Sequence, residues 1–516
     1  MTSVKDPPKS AGIAAKGQTA QDPRSKAFLE MSGNRVAQQM DYLRRNGPGT
    51  RSLEYFYSGF QNLNTQRLEE IRAAKAQGKK VIGYLCNFVP IELILAADAI
   101  PLSLNTGYSE TILPAEEILP RNFCPLIKSS FGSVIEKSPL FGLVDVVIIP
   151  TSCDGKKKLG ELLSDHVPVW IMEVPHTTNT RQSRWLWLNE IKNLKKQLQK
   201  FTGNRISNGK IRKAIAVLNE QRAQVHRLYN LRKGPPPIWG RDALLVTNYA
   251  QYDDPERWNQ QVELLNNELE KAAPVGGKDH RPRILLTGTP LAVPSWKIPV
   301  LIEESGGVIV TDDICTGTKG MWDPVETSAW TGSDLLVSLA DRYLMNTCAC
   351  FTPNNARIVR LKRFVEDWKI DGVIYYVIMA CHTYGMEQRR INHEMEDMNI
   401  PVLNIETDFS QEDIEQIRTR LEAFMELIRT RHALKTGTVL DKQLHPKGHA
   451  MNGPQPSMTQ EQVVQTIADT AAKTQSGPRS MDFPVSEAKG ERESAMSGTA
   501  LRPPDPAKKK EAKISR

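Results

Sequence analysis

The chain has 516 residues, of which 24% are charged and 40% hydrophobic, and its formal net charge is +8 at pH 7. This composition is typical of a globular protein and excludes a wholly disordered or fibrous chain. The basic excess is modest and part of it lies in a terminal run of lysines, so we expect no nucleic-acid partner.

The first part of the chain predicts an α/β lobe. Residues 1–25 are polar and predict a flexible leader, and residues 26–180 predict a Rossmann-like lobe with helices at its N-terminus. Near-continuous apolar runs predict strands at 81–85, 144–149 and 169–174, and Pro90 opens a predicted helix at 91–99. Such strands are typical of parallel sheets that helices cover on both faces.

The rest of the chain predicts a helical insertion, a second lobe and a tail. Residues 181–278 form the insertion, with amphipathic helices at 184–201, 210–232 and 258–272. Residues 279–435 form a second Rossmann-like lobe, with strands at 283–287, 308–311, 372–378 and 402–405, and helices at 296–304 and 411–435. Asp408 and Ser410 are cap candidates for the last helix. Residues 436–516 predict a mostly disordered tail with one mildly helical stretch at 459–473.

The predicted fold class is therefore α/β, with two doubly wound parallel-sheet lobes, a helical insertion between them and flexible termini. The apolar stretches are shorter than the roughly 20 residues that span a bilayer, and the N-terminus lacks the apolar core of a signal peptide. We expect a cytoplasmic protein with no membrane contact, whose cysteines are reduced.

The cysteines are the candidate chemical groups. Four of the seven follow the carboxyl end of a predicted strand, the edge where open α/β sheets bind ligands; these are Cys86, Cys153, Cys315 and Cys381. The others lie in loops that lead into helices; these are Cys124, Cys348 and Cys350.

Each cysteine taken singly reads as a buried apolar thiol, but together they favour a shared metal or cluster. Zinc sites usually use close Cys-x-x-Cys pairs, and the sequence has none. Iron–sulfur clusters bind cysteine thiolates from distant segments. The pattern therefore ranks an iron–sulfur site first, a zinc site second and scattered core thiols third.

Other motifs are weaker. The sequence contains no Gly-x-x-x-x-Gly-Lys-Ser/Thr motif, so it carries no P-loop. His382 follows Cys381 directly and is a candidate proton donor, although a role in orienting its neighbours is an equal alternative. The run Lys156-Lys157-Lys158 either attracts a phosphate-bearing partner or starts a solvated helix.

Several long motifs between Gly78 and Ile428 resemble the family of 2-hydroxyacyl-CoA dehydratases and benzoyl-CoA reductases. They read GYLCNFVPIE at 83–92, LPRNFCPLIKSS at 119–130, TSCDGKK at 151–157, DICTG at 313–317 and ACHTY at 380–384. Within that family the chain looks most like the double-cubane cluster proteins. In that branch six cysteines of one chain hold two cubanes joined by a bridging sulfide, whereas dehydratase subunits hold one [4Fe-4S] cluster with three.

The resemblance implies a low-potential reductase that receives electrons from a separate ATP-hydrolysing activator with its own cluster. It also implies ligand positions: Cys124, Cys153 and Cys381 match the widespread ones, and Cys86, Cys315 and either Cys348 or Cys350 match those of the double-cubane branch. We expect Cys348 to bind the cluster and Cys350 not to be a ligand.

Three functions follow as hypotheses. The first is a homodimeric reductase component that acts on a small molecule. The second is the [4Fe-4S] subunit of an acyl-CoA dehydratase or aryl-CoA reductase, paired with a homologous chain. The third, of another class, is a non-catalytic scaffold or electron-storage protein.

Overall fold

The computed structural model describes residues 22–277, 281–327 and 334–436. The predicted helical stretch at 459–473, and most of the predicted leader and tail, lie outside these residues. Within them the chain forms helices and two four-stranded parallel sheets, which confirms the predicted fold class.

The first lobe begins with a helical layer and continues into an alternating sheet. Asp22 accepts a hydrogen bond from the amide of Arg24 and so caps the first helix. The elements are α1 (Pro23–Arg45), α2 (Glu54–Gln61), α3 (Leu68–Ala76), β1 (Val81–Tyr84), α4 (Ile91–Ala96), β2 (Ile100–Ser103), α5 (Ile112–Glu116), α6 (Pro125–Ile135), β3 (Val146–Pro150), α7 (Asp154–Leu163) and β4 (Val169–Met172).

The predicted insertion consists of helices. They are α8 (Arg181–Thr202), α9 (Asn208–Asn230), α10 (Gly240–Tyr249) and α11 (Pro255–Leu269). Gly203 ends α8 with a φ of 74°, a left-handed conformation that glycine adopts without strain, and this turn lets α9 begin after a short loop.

The second lobe repeats the alternation. Its elements are β5 (Arg283–Gly288), α12 (Lys297–Glu304), β6 (Val308–Asp313), α13 (Thr318–Met321), α14 (Leu335–Leu344), α15 (Asn355–Asp367), β7 (Gly372–Ile378), α16 (His382–Glu396), β8 (Val402–Thr407) and α17 (Ile414–Thr436). The last helix begins after both predicted caps: the amide of Ile417 donates to the carbonyl of Asp413 in its first turn.

Both sheets have the same topology. The strand orders are β2-β1-β3-β4 and β6-β5-β7-β8, and all paired strands are parallel. In each sheet the winding direction reverses between the two central strands, the point where ligands bind in this type of fold. Cys86 follows β1 and Cys153 follows β3, so the first of these switch points carries two of the predicted ligands.

Two hydrophobic cores hold the lobes together. Along β1 and β3 alternate residues face opposite sides of the first sheet: Val81 and Val147 enter a core that also contains residues of the second sheet, such as Leu285. Ile82 and Val146 enter a second core, which includes side chains of α8, α9 and α14. The two sheets therefore share the first of these cores.

Among the described residues, no helix is both long and apolar enough to cross a membrane.

The sequence failed to predict β2, a short strand at the edge of the first sheet. Pro101 lies within it, and proline is tolerated at an edge because its missing N–H breaks no ladder between two strands.

Candidate metal centre

Three cysteines stand directly before a helix and are called the cap group: Cys124, Cys153 and Cys381. They are the N-cap residues of α6, α7 and α16, respectively. The first N–H groups of a helix have no partner within it, and together they make its N-terminus electropositive. Each of these cysteines therefore lies where the fold itself favours a negatively charged sulfur.

One backbone amide of these first turns donates a hydrogen bond to a sulfur of the cap group, that of Lys156 onto Cys153 at 3.4 Å. At Cys124 and Cys381 the amides of the first turn, among them those of Ile127 and Tyr384, lower the pKa of the thiol against the larger effect of burial. Because these donors belong to the main chain, the fold supplies them whatever side chains the helices carry.

The sulfurs of the cap group also interact with one another. Burial, reinforced by the charges that Cys124 and Cys153 would carry, raises the pKa of Cys381 to about 12. Burial likewise raises the pKa of Cys124, and the sulfur of Cys153 acts in the same direction. These two thiols are protonated at neutral pH, so a bound cation would have to displace their protons.

The remaining cysteines lie in loops and are called the loop group: Cys86, Cys315, Cys348 and Cys350. Cys86 has a φ of 97°, a left-handed conformation that costs a non-glycine residue free energy. Its Sγ lies 3.4 Å from Oγ of Ser152, the residue before Cys153. This contact brings the loops after β1 and β3 together.

Side chains hold the loop group in place. Asn87 Nδ2 donates to the carbonyl of Cys315 at 2.6 Å, and Asn354 Nδ2 donates to the carbonyl of Cys348 at 3.0 Å. Cys315 Sγ lies 3.5 Å from the hydroxyl of Tyr384. The loop group thus depends on individual side chains, where the cap group depends on helix ends.

Cys348 and Cys350 are separated by one residue, and their pKa values shift in opposite directions. The neighbouring Cys350 thiol lowers the pKa of Cys348, although burial opposes this shift, and the charge of Lys319 contributes. The pKa of Cys350 is raised well above its ordinary value, first by the Cys348 thiol and then by burial. The choice of Cys348 as the ligand stays a prediction.

The three consecutive lysines of α7 differ in the groups that their side chains contact. Lys157 pairs with Asp154 and Lys158 with Glu161, each at 2.8 Å on the exposed face. The side chain of Lys156 interacts with sulfurs of both groups. Burial alone would lower the pKa of Lys156. The negative charges that Cys86, Cys153, Cys315 and Cys348 would carry outweigh burial and raise this pKa.

A buried ionic network lies behind the loop group. Lys319 Nζ is 3.2 Å from Asp313 Oδ2, and Arg357 Nε is 3.0 Å from the same oxygen. All three side chains are fully buried, and Arg357 also pairs with the partly exposed Glu387. Burial raises the pKa of Asp313, but the two cations outweigh burial and lower it, so the carboxyl is ionised.

A cavity of about 80 Å³ adjoins the loop group and is lined by Cys86, Cys315, Tyr84 and Tyr343 among others. Beside it, Glu92 is fully buried and accepts hydrogen bonds from Arg222 at 2.7 Å and Tyr343 at 2.8 Å. This contact ties the first lobe to the insertion and to the second lobe, so all three parts of the chain shape the cavity.

All six predicted ligands thus belong to one of two interacting groups, with Cys350 as an additional member of the loop group. His382 is the first residue of α16 and its side chain is exposed; its catalytic role stays a prediction. Tyr384 and Lys319 were not predicted, and Lys156 was named only within the lysine run, as a candidate contact for a phosphate-bearing partner. The position of Tyr384 one helical turn after Cys381 could have pointed to it.

The donors fit a cluster better than a single ion. In residues 22–277, 281–327 and 334–436, no three His, Cys, Asp or Glu side chains are arranged to hold one metal ion. In an iron–sulfur cluster each thiolate binds a different iron, and inorganic sulfide separates the irons, so the thiolates stand farther apart. The thiol donors, the helix N-termini and the buried cations all suit an anionic cluster of this kind.

Comparison with known proteins gives a consistent result. The family described as 2-hydroxyglutaryl-CoA dehydratase, D-component, matches residues 86–428. The chain is 38% identical over 359 residues to a putative dehydratase subunit, YjiM, of Escherichia coli (strain K12), covering 69% of this chain and 93% of that protein.

More distant relatives include components of both dehydratases and reductases. The chain is 24% identical over 381 residues to the (R)-phenyllactyl-CoA dehydratase beta subunit of Clostridium sporogenes, covering 72% of this chain and 98% of that protein. It is 22% identical over 357 residues to a benzoyl-CoA reductase subunit of Thauera aromatica, covering 68% of this chain and 91% of that protein.

Proposed function

Because the chain belongs to the 2-hydroxyglutaryl-CoA dehydratase D-component family and is an enzyme component of the dehydratase and reductase type, we propose that it is an iron–sulfur reductase component. It receives low-potential electrons from a separate ATP-hydrolysing activator and reduces a small molecule at a double-cubane-type cluster.

The observation that carries this proposal is the division of the cysteines into two groups. The cap group supplies three thiolates, and the loop group supplies three more from Cys86, Cys315 and Cys348. Two cubanes in one chain would take three thiolates each. Six thiolates in two sets of three match that requirement.

The chain's own residues have three tasks in this proposal. The thiolates hold the cluster, whose chemistry when bound is the transfer of single electrons. The helix N-termini, Lys156 and Lys319 would compensate its negative charge. His382 stays the candidate proton donor, although its exposed side chain must then reach substrate from outside.

Partners follow from the same reasoning. The sequence has no P-loop, so ATP hydrolysis belongs to another protein, the activator. The phenyllactyl-CoA dehydratase and benzoyl-CoA reductase relatives are both named as subunits, and so are parts of larger assemblies. For this chain we propose a homodimer, with a heterodimer containing a homologous subunit as the alternative.

The second candidate function is that of a [4Fe-4S] subunit that acts on an acyl-CoA thioester. The names of the phenyllactyl-CoA dehydratase and benzoyl-CoA reductase relatives favour it. It needs only three thiolates, so it leaves the loop group without a ligand role.

Iron and sulfide counting after anaerobic purification separates these functions. Roughly eight irons per chain support the double-cubane proposal, and roughly four support the single-cluster alternative. Activator-dependent reduction of a small molecule by the loaded protein supports catalysis, whereas loaded protein without such turnover supports a storage protein. A chain purified without iron or sulfide contradicts both cluster functions and electron storage, and leaves the non-catalytic scaffold.

A further inference from the structure

Tyr384 connects the two groups. It stands three residues after Cys381 of the cap group, at the start of α16, and its hydroxyl lies 3.5 Å from the Sγ of Cys315 in the loop group. The side chain is buried at the first turn of α16, where the sequence predicted a role only for His382.

The direction of the hydroxyl hydrogen follows from its second contact. Lys319 Nζ lies 2.9 Å from the same hydroxyl oxygen, and an ammonium group can only donate. The hydroxyl therefore accepts from Lys319, and its own hydrogen is left for Cys315. A thiolate has no hydrogen to donate, so once Cys315 binds a metal its sulfur accepts this hydrogen bond.

The ammonium of Lys319 is fixed by charges behind it. It pairs with Asp313 at 3.2 Å, and Arg357 binds the same carboxylate oxygen at 3.0 Å. Both cations also stand over the ring of Tyr384, at 5.0 Å and 4.9 Å from its centre. A lysine that is fully buried and paired has little freedom to move, so it holds the tyrosine hydroxyl in one orientation.

We propose that Tyr384, held by Lys319, is a positioning residue that donates a hydrogen bond to the Cys315 sulfur and raises the reduction potential of the cluster bound there. The inference rests on the proposed iron–sulfur function. Hydrogen bonds to ligand sulfurs and nearby positive charge stabilise the more negative, reduced state, which makes the potential less negative.

The two groups would then be tuned by different means. In the cap group the Cys153 sulfur accepts from a main-chain amide, which no side-chain substitution removes. The Cys315 sulfur accepts from a side chain, so a single substitution can change one end of the site alone.

The test compares Tyr384→Phe with Tyr375→Phe in the full-length, anaerobically purified protein. Tyr375 is also fully buried, but its hydroxyl donates to the carbonyl of Tyr384 at 3.0 Å and not to a sulfur. Iron content, circular dichroism and the midpoint potentials from an EPR-monitored redox titration are measured for each protein. We expect Tyr384→Phe to keep its iron and fold while one midpoint moves to a more negative value, and Tyr375→Phe to keep the wild-type midpoints.

A second variant covers the case in which Tyr384→Phe loses iron. Lys319→Gln keeps a hydrogen-bond donor for the hydroxyl but removes the charge, and we expect the same negative shift. Full iron content with unchanged midpoints in both variants would overturn the inference while leaving the proposed function intact. An equal shift in Tyr375→Phe would also overturn it. Wild-type protein without iron would overturn the proposed function and this inference together.

Discussion

The cap group and the loop group place sulfur in the same interior by different means. Each cap-group cysteine is the N-cap residue of a helix, and at Cys153 a main-chain amide of that helix donates to the sulfur. The loop group has no helix ends and relies on Asn87, Asn354 and Tyr384, backed by buried charges. The difference teaches that the fold itself positions the first set of thiols, whereas particular side chains position the second.

The largest expected effect tests whether the cap group is a ligand set at all. We expect Cys153→Ala to lose roughly half or more of the iron of the wild type, because a cubane left with two thiolates is not retained. Cys350→Ala is the matched control and should keep its iron. Iron content is measured by colorimetric assay. Equal iron content in Cys153→Ala and wild type would show that Cys153 is not a ligand.

The next effect concerns the charges behind the loop group. Asp313→Asn leaves Lys319 and Arg357 without their shared carboxylate in the interior, and such a loss costs about 3–5 kcal/mol of unfolding free energy. Urea unfolding of the metal-free chain measures this loss of free energy as a lower urea concentration at the unfolding midpoint. Glu161→Gln, which breaks only the exposed pair with Lys158, should leave the midpoint unchanged. A similar midpoint for both variants would mean that the buried network contributes no stability.

The smallest effect separates ligand positioning from general stability. Asn87→Ala removes the hydrogen bond to the Cys315 carbonyl, and Asn204→Ala removes a similar bond to the carbonyl of Ala97, far from the thiols. Each should lower the unfolding free energy by about 1 kcal/mol. Only Asn87→Ala should also release iron faster to a chelator. Equal release rates would show that side chains do not hold the loop group.

The same contrast explains what could be predicted from the sequence. Buried parallel strands are recognisable as apolar runs, so all strands except the short edge strand β2 were predicted, and with them the loops that follow each strand. Cys124 and Cys381 sit before residues that start helices, a local pattern. The partners of the loop group are distant in sequence: Cys315 contacts Tyr384, which is 69 residues away in the chain, and Asn87, which is 228 residues away. No spacing rule links residues so far apart.

Each thiol group draws on both lobes. The cap group takes Cys124 and Cys153 from the first lobe and Cys381 from the second, and the loop group takes Cys86 from the first and the others from the second. Biogenesis must therefore follow a fixed order. Neither set of thiols is complete until the ribosome has passed well into the second lobe, so a cofactor held by them can be loaded only after the lobes have docked.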